Sequence, residues 1–378
     1  MPRPPLAVYI HWPFCRSKCP YCDFNSHVRE GTDDTAWATA LVADLDRQAA
    51  LAPNHEVVSI FFGGGTPSLM SPATAAALIE RVKRHWPTAP DLEITLEANP
   101  NSAEAERFGG FAAAGVNRLS LGVQALSPPA LKFLGRGHDR AEAIAAIRLS
   151  QSLFARTSFD LIYARPGQSI AAWRDELDEA LSLAGEHLSL YQLTIEPGTA
   201  FHTLARLGEL QLPDEESAAA LFELTQERLA EHGLPAYEIS NHARPGAECR
   251  HNLAYWRYDD YIGIGPGAHG RITRAGAKYA TRHRRLPEAW LQNLEFEEIV
   301  AIDRDNAVEE MMMMGMRLVE GISRARLEAL ADQHIETRFG DRLARLIGGG
   351  FIALDETRFA ATPAGRQRLN AVLAALLG

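Results

Sequence analysis

The sequence has few cysteines, no excess of basic residues and no long apolar run. Only 4 of its 378 residues are cysteine, and 38 Lys and Arg stand against 48 Asp and Glu, for a net charge of −10. A surface that coats nucleic acid needs excess positive charge, so we expect no nucleic-acid partner. No apolar run approaches the ~20 residues that a membrane-spanning helix requires.

The first residues also lack the features of a secretory signal. The segment MPRPPLAVYIHWPFC contains one Arg, and Pro13 interrupts its short apolar part. We therefore expect a cytoplasmic protein. Hydrophobic residues make up 46% of the chain and charged residues 23%, which is typical of globular domains and excludes global disorder.

Three of the four cysteines lie close together in the sequence, at Cys15, Cys19 and Cys22. A disulfide framework uses dispersed cysteines in a small secreted chain, so this cluster indicates a metal or iron–sulfur site. Three thiolates can each hold one iron of a cubane cluster and leave the fourth iron without a protein ligand. A zinc ion with His11 or His27 as its fourth ligand is the alternative that this spacing leaves open.

Short apolar runs alternate with helical segments through the first half of the chain. The runs predict six strands, at 6–11, 57–62, 92–97, 118–123, 158–163 and 188–193. Helices are predicted between them, at 37–51, 73–85, 103–114 and 141–149. This alternation indicates an α/β fold with a parallel sheet and right-handed crossovers. Six units are fewer than the eight of a closed barrel, so we predict a partial (β/α)6 barrel.

The pattern changes near residue 200, and we predict three domains. They are an α/β core at 1–200, a connecting region at 201–300 and a C-terminal α+β, winged-helix-like domain at 301–378. The last has predicted helices, a β-hairpin near its end and a closing helix from Arg366. A winged helix either contacts DNA or serves as a structural or docking module, and the acidic chain favours the second role. The methionine run 311–314 predicts adaptable core packing.

Polar or glycine-rich residues recur near the carboxyl ends of the predicted strands, where β/α folds build their binding sites. The glycine-rich segment 63–67 follows the second strand, Glu97 ends the third, Gln124 follows the fourth, Asp160 lies in the fifth, and Arg136 precedes the fifth. Glycines expose backbone N–H donors, carboxylates accept from amino and hydroxyl groups, and an arginine pairs with a carboxylate. Each residue alone has an ordinary explanation, such as a turn, a helix cap or a surface ion pair. Their shared edge beside three thiols indicates one binding site.

Four segments resemble the radical S-adenosylmethionine (SAM) superfamily, in its coproporphyrinogen-oxidase-like branch: YIHWPFCRSKCPYCDF, FFGGGTPS, LEANP and LGVQ. The resemblance covers essentially the whole chain and implies a radical SAM core domain. It implies a 4Fe–4S cluster on Cys15, Cys19 and Cys22, with SAM chelating the open iron. It further implies SAM contacts from the matching residues Tyr9, Gly65, Thr66, Glu97, Gln124, Arg136 and Asp160. The chemistry of the family is one-electron reduction of the sulfonium to methionine and a 5′-deoxyadenosyl radical.

Two groups within that branch differ around the third cysteine. The oxygen-independent coproporphyrinogen III oxidases carry a further cysteine two residues later and a longer N-terminal extension. Here Phe24 occupies that position, and only a short N-terminal segment precedes Tyr9. Both features resemble the haem chaperone group. The resemblance thus implies a protein that binds haem and passes it to apo-haemoproteins such as respiratory enzymes. Oxidative decarboxylation by a radical SAM oxidase is the alternative, so enzymatic activity stays open. Membrane-bound recipients would bring the chain to a membrane surface transiently.

The segment HNLAYW at 251–256 matches the HNxxYW motif of the haem chaperone group. An imidazole can ligate haem iron while aromatic side chains cover the porphyrin, so the resemblance predicts His251 as a haem ligand. A core histidine beside packed aromatic residues is the alternative. Cys249 and His269 are further candidates, each with a structural role as the alternative. One departure is the segment 164–167, Ala-Arg-Pro-Gly, where Gly-Leu-Pro-Gly is usual; its arginine adds charge near the expected ligand face.

Overall fold

The computed structural model describes residues 3–378. Its strands, in chain order, are β1 (Pro5–Trp12), β2 (Phe14–Cys15), β3 (His27–Val28), β4 (Glu56–Gly64), β5 (Thr88–Ala98), β6 (Arg118–Gln124), β7 (Arg156–Tyr163), β8 (His187–Gln192), β9 (Asn241–Ala243), β10 (Asp260–Ile264), β11 (His269–Arg274), β12 (Ala277–Arg282), β13 (Glu298–Ile302), β14 (Ile322–Ser323), β15 (Ile352–Leu354) and β16 (Arg358–Ala361).

The helices pack around these strands, and a 3-10 turn covers Pro67–Leu69. In chain order they are α1 (Asp34–Ala49), α2 (Pro72–His85), α3 (Ser102–Ala105), α4 (Phe108–Ala113), α5 (Pro128–Phe133), α6 (Arg140–Leu153), α7 (Ile170–Leu183), α8 (Ala200–Arg206), α9 (Glu215–Glu231), α10 (Arg250–Trp256), α11 (Pro287–Gln292), α12 (Arg304–Gly315), α13 (Arg324–Ala331), α14 (Ile335–Gly348), α15 (Pro363–Gln367) and α16 (Leu369–Leu377).

All six strands expected from the sequence are present, and they pair in parallel in the order β1-β4-β5-β6-β7-β8. The α/β class and the partial barrel are therefore confirmed. The sequence analysis missed β10, which pairs in parallel with β1 on its other side. This strand is short and lies in a glycine-rich stretch, so its apolar run gave little strand signal.

Alternation along the strands separates a helix-covered core from a polar barrel interior. On β1, Leu6, Val8 and Ile10 are completely buried in the main apolar core, whereas Tyr9 and His11 point to the opposite face. Many of the helices, including α1, α2, α6, α7 and α9, begin at side-chain caps. At α3 the expected cap Asn101 accepts from the Glu104 backbone N–H at 3.0 Å. The predicted helix at 103–114 is divided into α3 and α4.

The sheet continues past β10 as an antiparallel extension, which the sequence analysis did not predict. Strands β11, β12 and β13 follow one another in antiparallel pairs, and α11 returns to cover the barrel. Trp290 on α11 is fully buried and stacks on Trp37 of α1, with ring centroids 5.6 Å apart. This stacked pair attaches the extension to the first helix of the barrel.

The C-terminal region forms a second apolar core. Its three-stranded sheet has the order β14-β16-β15, and β15 and β16 form the expected hairpin. In the methionine run, Met311 and Met312 are buried in this core, whereas Met313 is 46% exposed. The expected closing helix is broken at Arg368 into α15 and α16. Helices followed by a small hairpin confirm the winged-helix-like α+β architecture.

None of the helices in residues 3–378 has the length and apolar character needed to cross a bilayer.

Replacing Trp290 with Ala should lower the free energy of unfolding by about 3–5 kcal/mol, because it leaves a large cavity beside Trp37. Chemical denaturation followed by circular dichroism measures this loss. Leu286→Ala is the matched control, since Leu286 is 62% exposed and should change stability by less than about 0.5 kcal/mol. Equal losses in both variants would contradict the importance of the stacked pair.

Candidate cofactor site

The carboxyl ends of the parallel strands surround a pocket of about 420 Å³. It is lined by all three clustered cysteines and by six of the seven residues expected to contact SAM: Cys15, Cys19, Cys22, Gly65, Thr66, Glu97, Gln124, Arg136 and Asp160. Tyr9 is the exception. Its hydroxyl hydrogen-bonds the Nδ1 atom of His11 at 3.0 Å, and it does not line the pocket.

Neighbouring side chains contact all three thiols, and the Ser26 hydroxyl lies 3.8 Å from Cys22 Sγ. The Thr66 hydroxyl donates to Cys15 Sγ at 3.4 Å, and Arg136 Nη1 donates to Cys19 Sγ at 3.2 Å. Donors aimed at sulfur stabilise the thiolate, which is the form that binds metal. Burial raises the pKa of the Cys15 and Cys22 thiols, so metal binding at these two residues must displace protons.

The donor set at this pocket fits an iron–sulfur cluster better than a zinc ion. All three thiols are free of disulfides, and thiolates are the standard ligands of such clusters. Both ring nitrogens of His11 are occupied, by the Tyr9 hydroxyl and by the Asn25 carbonyl oxygen at 2.9 Å. Among residues 3–378, no three Cys, His, Asp or Glu side chains converge closely enough to hold a single ion.

The glycine-rich segment holds the cysteine loop in place. The backbone N–H of Gly65 donates to the Trp12 carbonyl at 2.7 Å, and that of Thr66 donates to the Phe14 carbonyl at 2.8 Å. A Cβ at Gly65 would lie 2.7 Å from the Phe14 carbonyl oxygen, so only glycine fits there. Gly64 has φ = +111°, which also favours glycine. The N–H donors expected to face a ligand are used here within the protein.

Arg136, expected to pair with a ligand carboxylate, is already held by several acceptors. Its Nη2 atom donates to Asn99 Oδ1 at 2.5 Å and to the Gly122 carbonyl at 2.6 Å. Its buried Nε atom has no hydrogen-bond partner among the described residues. Arg136 thus connects the thiol of Cys19 to the ends of β5 and β6.

Two buried carboxyl groups, Glu97 and Asp160, line the pocket near one another. Burial, together with the nearby charge of Asp160, raises the pKa of Glu97 to about 8. Burial also raises the pKa of Asp160 to about 6, against the opposing effects of Ser189 and Arg118. Near neutral pH the two groups therefore carry less negative charge than two ordinary carboxylates.

The charge of Arg165 is neutralised by an ion pair with Glu176, and both side chains are at most 8% exposed. The charge that Arg165 adds near the ligand face is therefore compensated within the protein. The Glu176 Oε1 atom also accepts from the Leu126 backbone N–H at 2.8 Å. That contact fixes the turn that follows Gln124. Gln124 itself has φ = 70°. A left-handed glutamine at a pocket wall is a strained position held by its surroundings.

His251 lies inside the protein and is 1% exposed. Its ring stacks on Phe61 with centroids 4.7 Å apart and packs edge-on against Tyr255 at 4.6 Å. The Ser59 hydroxyl hydrogen-bonds the Nδ1 atom at 3.1 Å, whereas Nε2 has no partner among the described residues. Burial lowers the pKa of this imidazole to about 3, so it is neutral. Haem ligation by His251 stays a prediction, and it requires a rearrangement that exposes the buried Nε2 atom.

The other two candidates for haem contact lie apart from the cofactor pocket. Cys249 is fully buried and its thiol lies 3.4 Å from Glu93 Oε1, to which it donates. Burial, together with the Glu93 charge, raises its pKa to about 12. His269 begins β11 and is exposed.

Sequence reasoning missed two residues that shape this site, Asn99 and Glu176. Asn99 has a signal, because it lies two positions after Glu97 at the end of β5. Glu176 has none, since it is an ordinary acidic residue of α7 until the fold brings it beside Arg165.

The chain matches the Radical SAM superfamily over residues 9–180 and the HemN C-terminal domain over residues 302–368. It is 40% identical to the heme chaperone HemW of Escherichia coli strain K12, covering 98% of this chain and 97% of that protein. The chain belongs to the HemW-like group of the radical SAM superfamily. The bovine mitochondrial radical S-adenosyl methionine domain-containing protein 1 is also 40% identical, over 84% of this chain and 74% of that protein.

A solved structure, coproporphyrinogen III oxidase (HemN) from Escherichia coli, shares this fold. It superposes with a TM-score of 0.82 at 22% identity, covering 100% of this chain and 91% of that one. Membership of the radical SAM superfamily implies a 4Fe–4S cluster and SAM as cofactors, and the residues around the 420 Å³ pocket fit both.

Cys19→Ser should abolish assembly of a full cluster, because an alcohol is a poor ligand for iron in place of a thiolate. Iron and sulfide content after anaerobic reconstitution measures the loss. Cys249→Ser is the matched control: it removes a buried thiol that does not line the pocket and should leave the cluster content unchanged. A complete cluster in Cys19→Ser would contradict the three-thiol assignment.

The cluster-free wild-type protein should lose stability as the pH rises from 5 to 8, and Glu97→Gln should lose less. The folded pKa of Glu97 is raised, so the folded state binds more protons than the unfolded state in this range, and stability falls with rising pH. The difference in melting temperature between Glu97→Gln and wild type should therefore be about 2–4 °C more favourable to the variant at pH 8 than at pH 5. Thermal scans measure this shift, with exposed Glu106→Gln as control; parallel pH profiles for wild type and Glu97→Gln would contradict the assignment.

Proposed function

We propose that the chain binds haem and delivers it to haemoproteins. The observation that carries this proposal is its 40% identity, over nearly the full length of both chains, to a protein named heme chaperone HemW. A second such protein, from Mycobacterium tuberculosis strain H37Rv, is 38% identical over 100% of this chain and 96% of that protein. Both matches include the cysteine loop and the C-terminal region together.

The environment of the third cysteine supports a chaperone over an oxidase. Phe24 stands two residues after Cys22 and is 60% exposed beside the pocket. The only other cysteine, Cys249, is buried and does not line the pocket. The pocket therefore offers three thiols and lacks the further one that resemblance associates with the oxidases.

We propose that Cys15, Cys19 and Cys22 hold the cluster, and that Gly65, Thr66, Glu97, Gln124, Arg136 and Asp160 surround SAM, with Tyr9 supporting the site from behind. Bound together, these cofactors supply one-electron reduction of the sulfonium. The protein's own residues orient the thiols through Thr66 and Arg136. Raised carboxyl pKa values let Glu97 and Asp160 donate or accept hydrogen bonds with limited negative charge. In a chaperone, this site regulates haem release or assembly of the protein.

The remaining assignments follow the same proposal. The core (1–200) carries the cofactors, the connecting region (201–300) carries HNxxYW, and the C-terminal domain (301–378) docks recipients. The recipients are apo-haemoproteins such as respiratory enzymes, reached from the cytoplasm, with transient membrane association through membrane-bound recipients.

The test is haem transfer by the full chain, reconstituted anaerobically, to an apo-haemoprotein. We expect stoichiometric transfer, measured by the recipient's absorption spectrum, and a transfer rate that differs between cluster-loaded wild type and cluster-free Cys19→Ser. Free haemin at the same concentration is the control for uncatalysed uptake.

A parallel arm supplies SAM, a reductant and coproporphyrinogen III to the reconstituted protein. No protoporphyrinogen should accumulate. Its accumulation would replace the chaperone proposal with the oxidase alternative. Transfer no faster than that from free haemin would contradict the chaperone proposal.

A further inference from the structure

The barrel has a small polar pocket at the end opposite the cofactor site. Its volume is about 160 Å³, and it lies where β6, β7 and β8 begin. The first residues of these strands, Arg118, Arg156 and His187, all line it, and none of them lines the cofactor pocket. Arg118 and Arg156 are register partners across β6 and β7. The parallel pairing of the strands therefore brings two guanidinium groups to one edge of the barrel.

Arg118 is enclosed at this edge without an acidic partner. The residue is 2% exposed, and within residues 3–378 no carboxylate lies at ion-pair distance from its guanidinium group. Leu119 and Leu121 belong to the helix-covered apolar core, so alternation along β6 directs Arg118 into the barrel interior. A buried charge is costly unless it is paired and hydrogen-bonded.

The one buried carboxylate beside the two arginines is already bound to other groups. Glu93 Oε2 accepts from Arg156 Nη1 at 2.7 Å. Glu93 Oε1 accepts from the Cys249 thiol at 3.4 Å and from the Arg250 backbone N–H at 3.0 Å. Glu93 therefore compensates Arg156, and the charge of Arg118 is left over.

Three further titratable groups near Arg118 are neutral. Burial raises the pKa of the Cys249 thiol to about 12 and raises that of Tyr237 well above its ordinary value. Burial also lowers the pKa of His187, so this imidazole adds no positive charge. Its two ring nitrogens are occupied by the Ser158 hydroxyl at 2.8 Å and by the Tyr237 hydroxyl at 3.0 Å.

The remaining carboxylates lie at a distance or in water. Asp160 is four residues beyond Arg156 on β7, which at 3.3 Å per residue is about 13 Å along the strand. Asp160 and Glu97 both line the cofactor pocket. Glu186 lines the small pocket but is exposed, so solvent screens its charge. The enclosed part of the pocket thus has an excess positive charge at Arg118.

The other wall residues leave room for a small ion. Thr157 adds a hydroxyl group, and Gly185 lacks a side chain that would occupy the space beside it. A Cβ at Gly185 would lie 3.3 Å from Thr157 Oγ1. Pockets for larger ligands commonly measure about 300–1,000 Å³, so a space of about 160 Å³ suits a ligand of a few atoms.

We propose that this pocket binds a free tetrahedral oxyanion of the phosphate class, with the Arg118 guanidinium group as its main ligand and the Thr157 hydroxyl as a further donor. The fork of an arginine presents N–H donors that match two oxygens of such an ion. The ion supplies the negative charge that Arg118 lacks within the protein. Because it binds the folded barrel, it also stabilises the fold.

The test is a calorimetric titration of the anaerobically reconstituted full chain with inorganic phosphate at constant ionic strength. Wild type should show saturable binding. Arg118→Gln should bind phosphate about tenfold or more weakly, because the charge-assisted pair is lost. Gly185→Val keeps both arginines and should also weaken binding, since its side chain enters the space beside Thr157.

Arg148→Gln is the matched control. Arg148 is an exposed cation on α6 that does not line the pocket, so its loss should leave the phosphate affinity unchanged. A second titration uses adenosine 5′-monophosphate, in which the phosphoryl group is attached to a larger molecule. The small volume predicts that free phosphate binds more tightly. Circular dichroism and iron content verify that each variant is folded and loaded.

The proposal is overturned if wild type shows no saturable phosphate binding, or if either folded pocket variant keeps wild-type affinity. If Arg118→Gln does not fold, Gly185→Val decides the result. An equal loss in Arg148→Gln would also overturn the proposal, because it would show attraction to the surface in general. Tighter binding of adenosine 5′-monophosphate than of phosphate would overturn the assignment to a free ion.

Discussion

Two backbone hydrogen bonds determine where the cofactor site lies. The N–H groups of Gly65 and Thr66 donate to the carbonyls of Trp12 and Phe14, which attaches the loop after β4 to the segment that leads into the cysteines. The close approach leaves no room for a side chain at Gly65. The first cysteine is thereby fixed to the sheet, and the hydroxyl of Thr66 is placed against its sulfur.

The polar groups around this point are held by contacts that cross between strands. Arg136 joins Cys19 to the ends of β5 and β6. One strand further along, the Arg165–Glu176 pair closes over the turn after Gln124. A buried pair of this kind adds little net stability, because desolvation offsets most of the attraction. Its evident role is to keep a strained pocket residue in one conformation.

Much of the fold was predictable, because parallel strands covered by helices leave a strong apolar signal. The six core strands and the C-terminal hairpin follow from such runs. Strand β10 does not, since its pairing with β1 is a contact across some 250 residues and its glycines weaken the local pattern. The extension β11–β13 is similar: its outer strand β13 is largely exposed and has no buried face for a pattern to reveal.

The cofactor pocket was predictable for a related reason. Residues at the carboxyl ends of parallel strands must meet at one edge, so spacing alone places Glu97 and Gln124 beside the cysteines. What the spacing cannot reveal is which donors are already occupied: the backbone of Gly65 and the guanidinium of Arg136 serve internal partners. Whether the charge of Arg165 is compensated depends on Glu176, and only the tertiary structure shows where Glu176 lies.

The cofactor pocket shares a wall with a larger cavity of about 1400 Å³, and this shared wall has a thermodynamic consequence. Cys22, Glu97, Gln124 and Asp160 border both spaces, so occupants of the smaller and the larger cavity act on the same side chains. Binding free energies coupled in this way are reciprocal: whatever factor one occupant imposes on the affinity of the other, it receives in return. A single layer of side chains thus couples binding in the cofactor pocket to binding in the larger cavity.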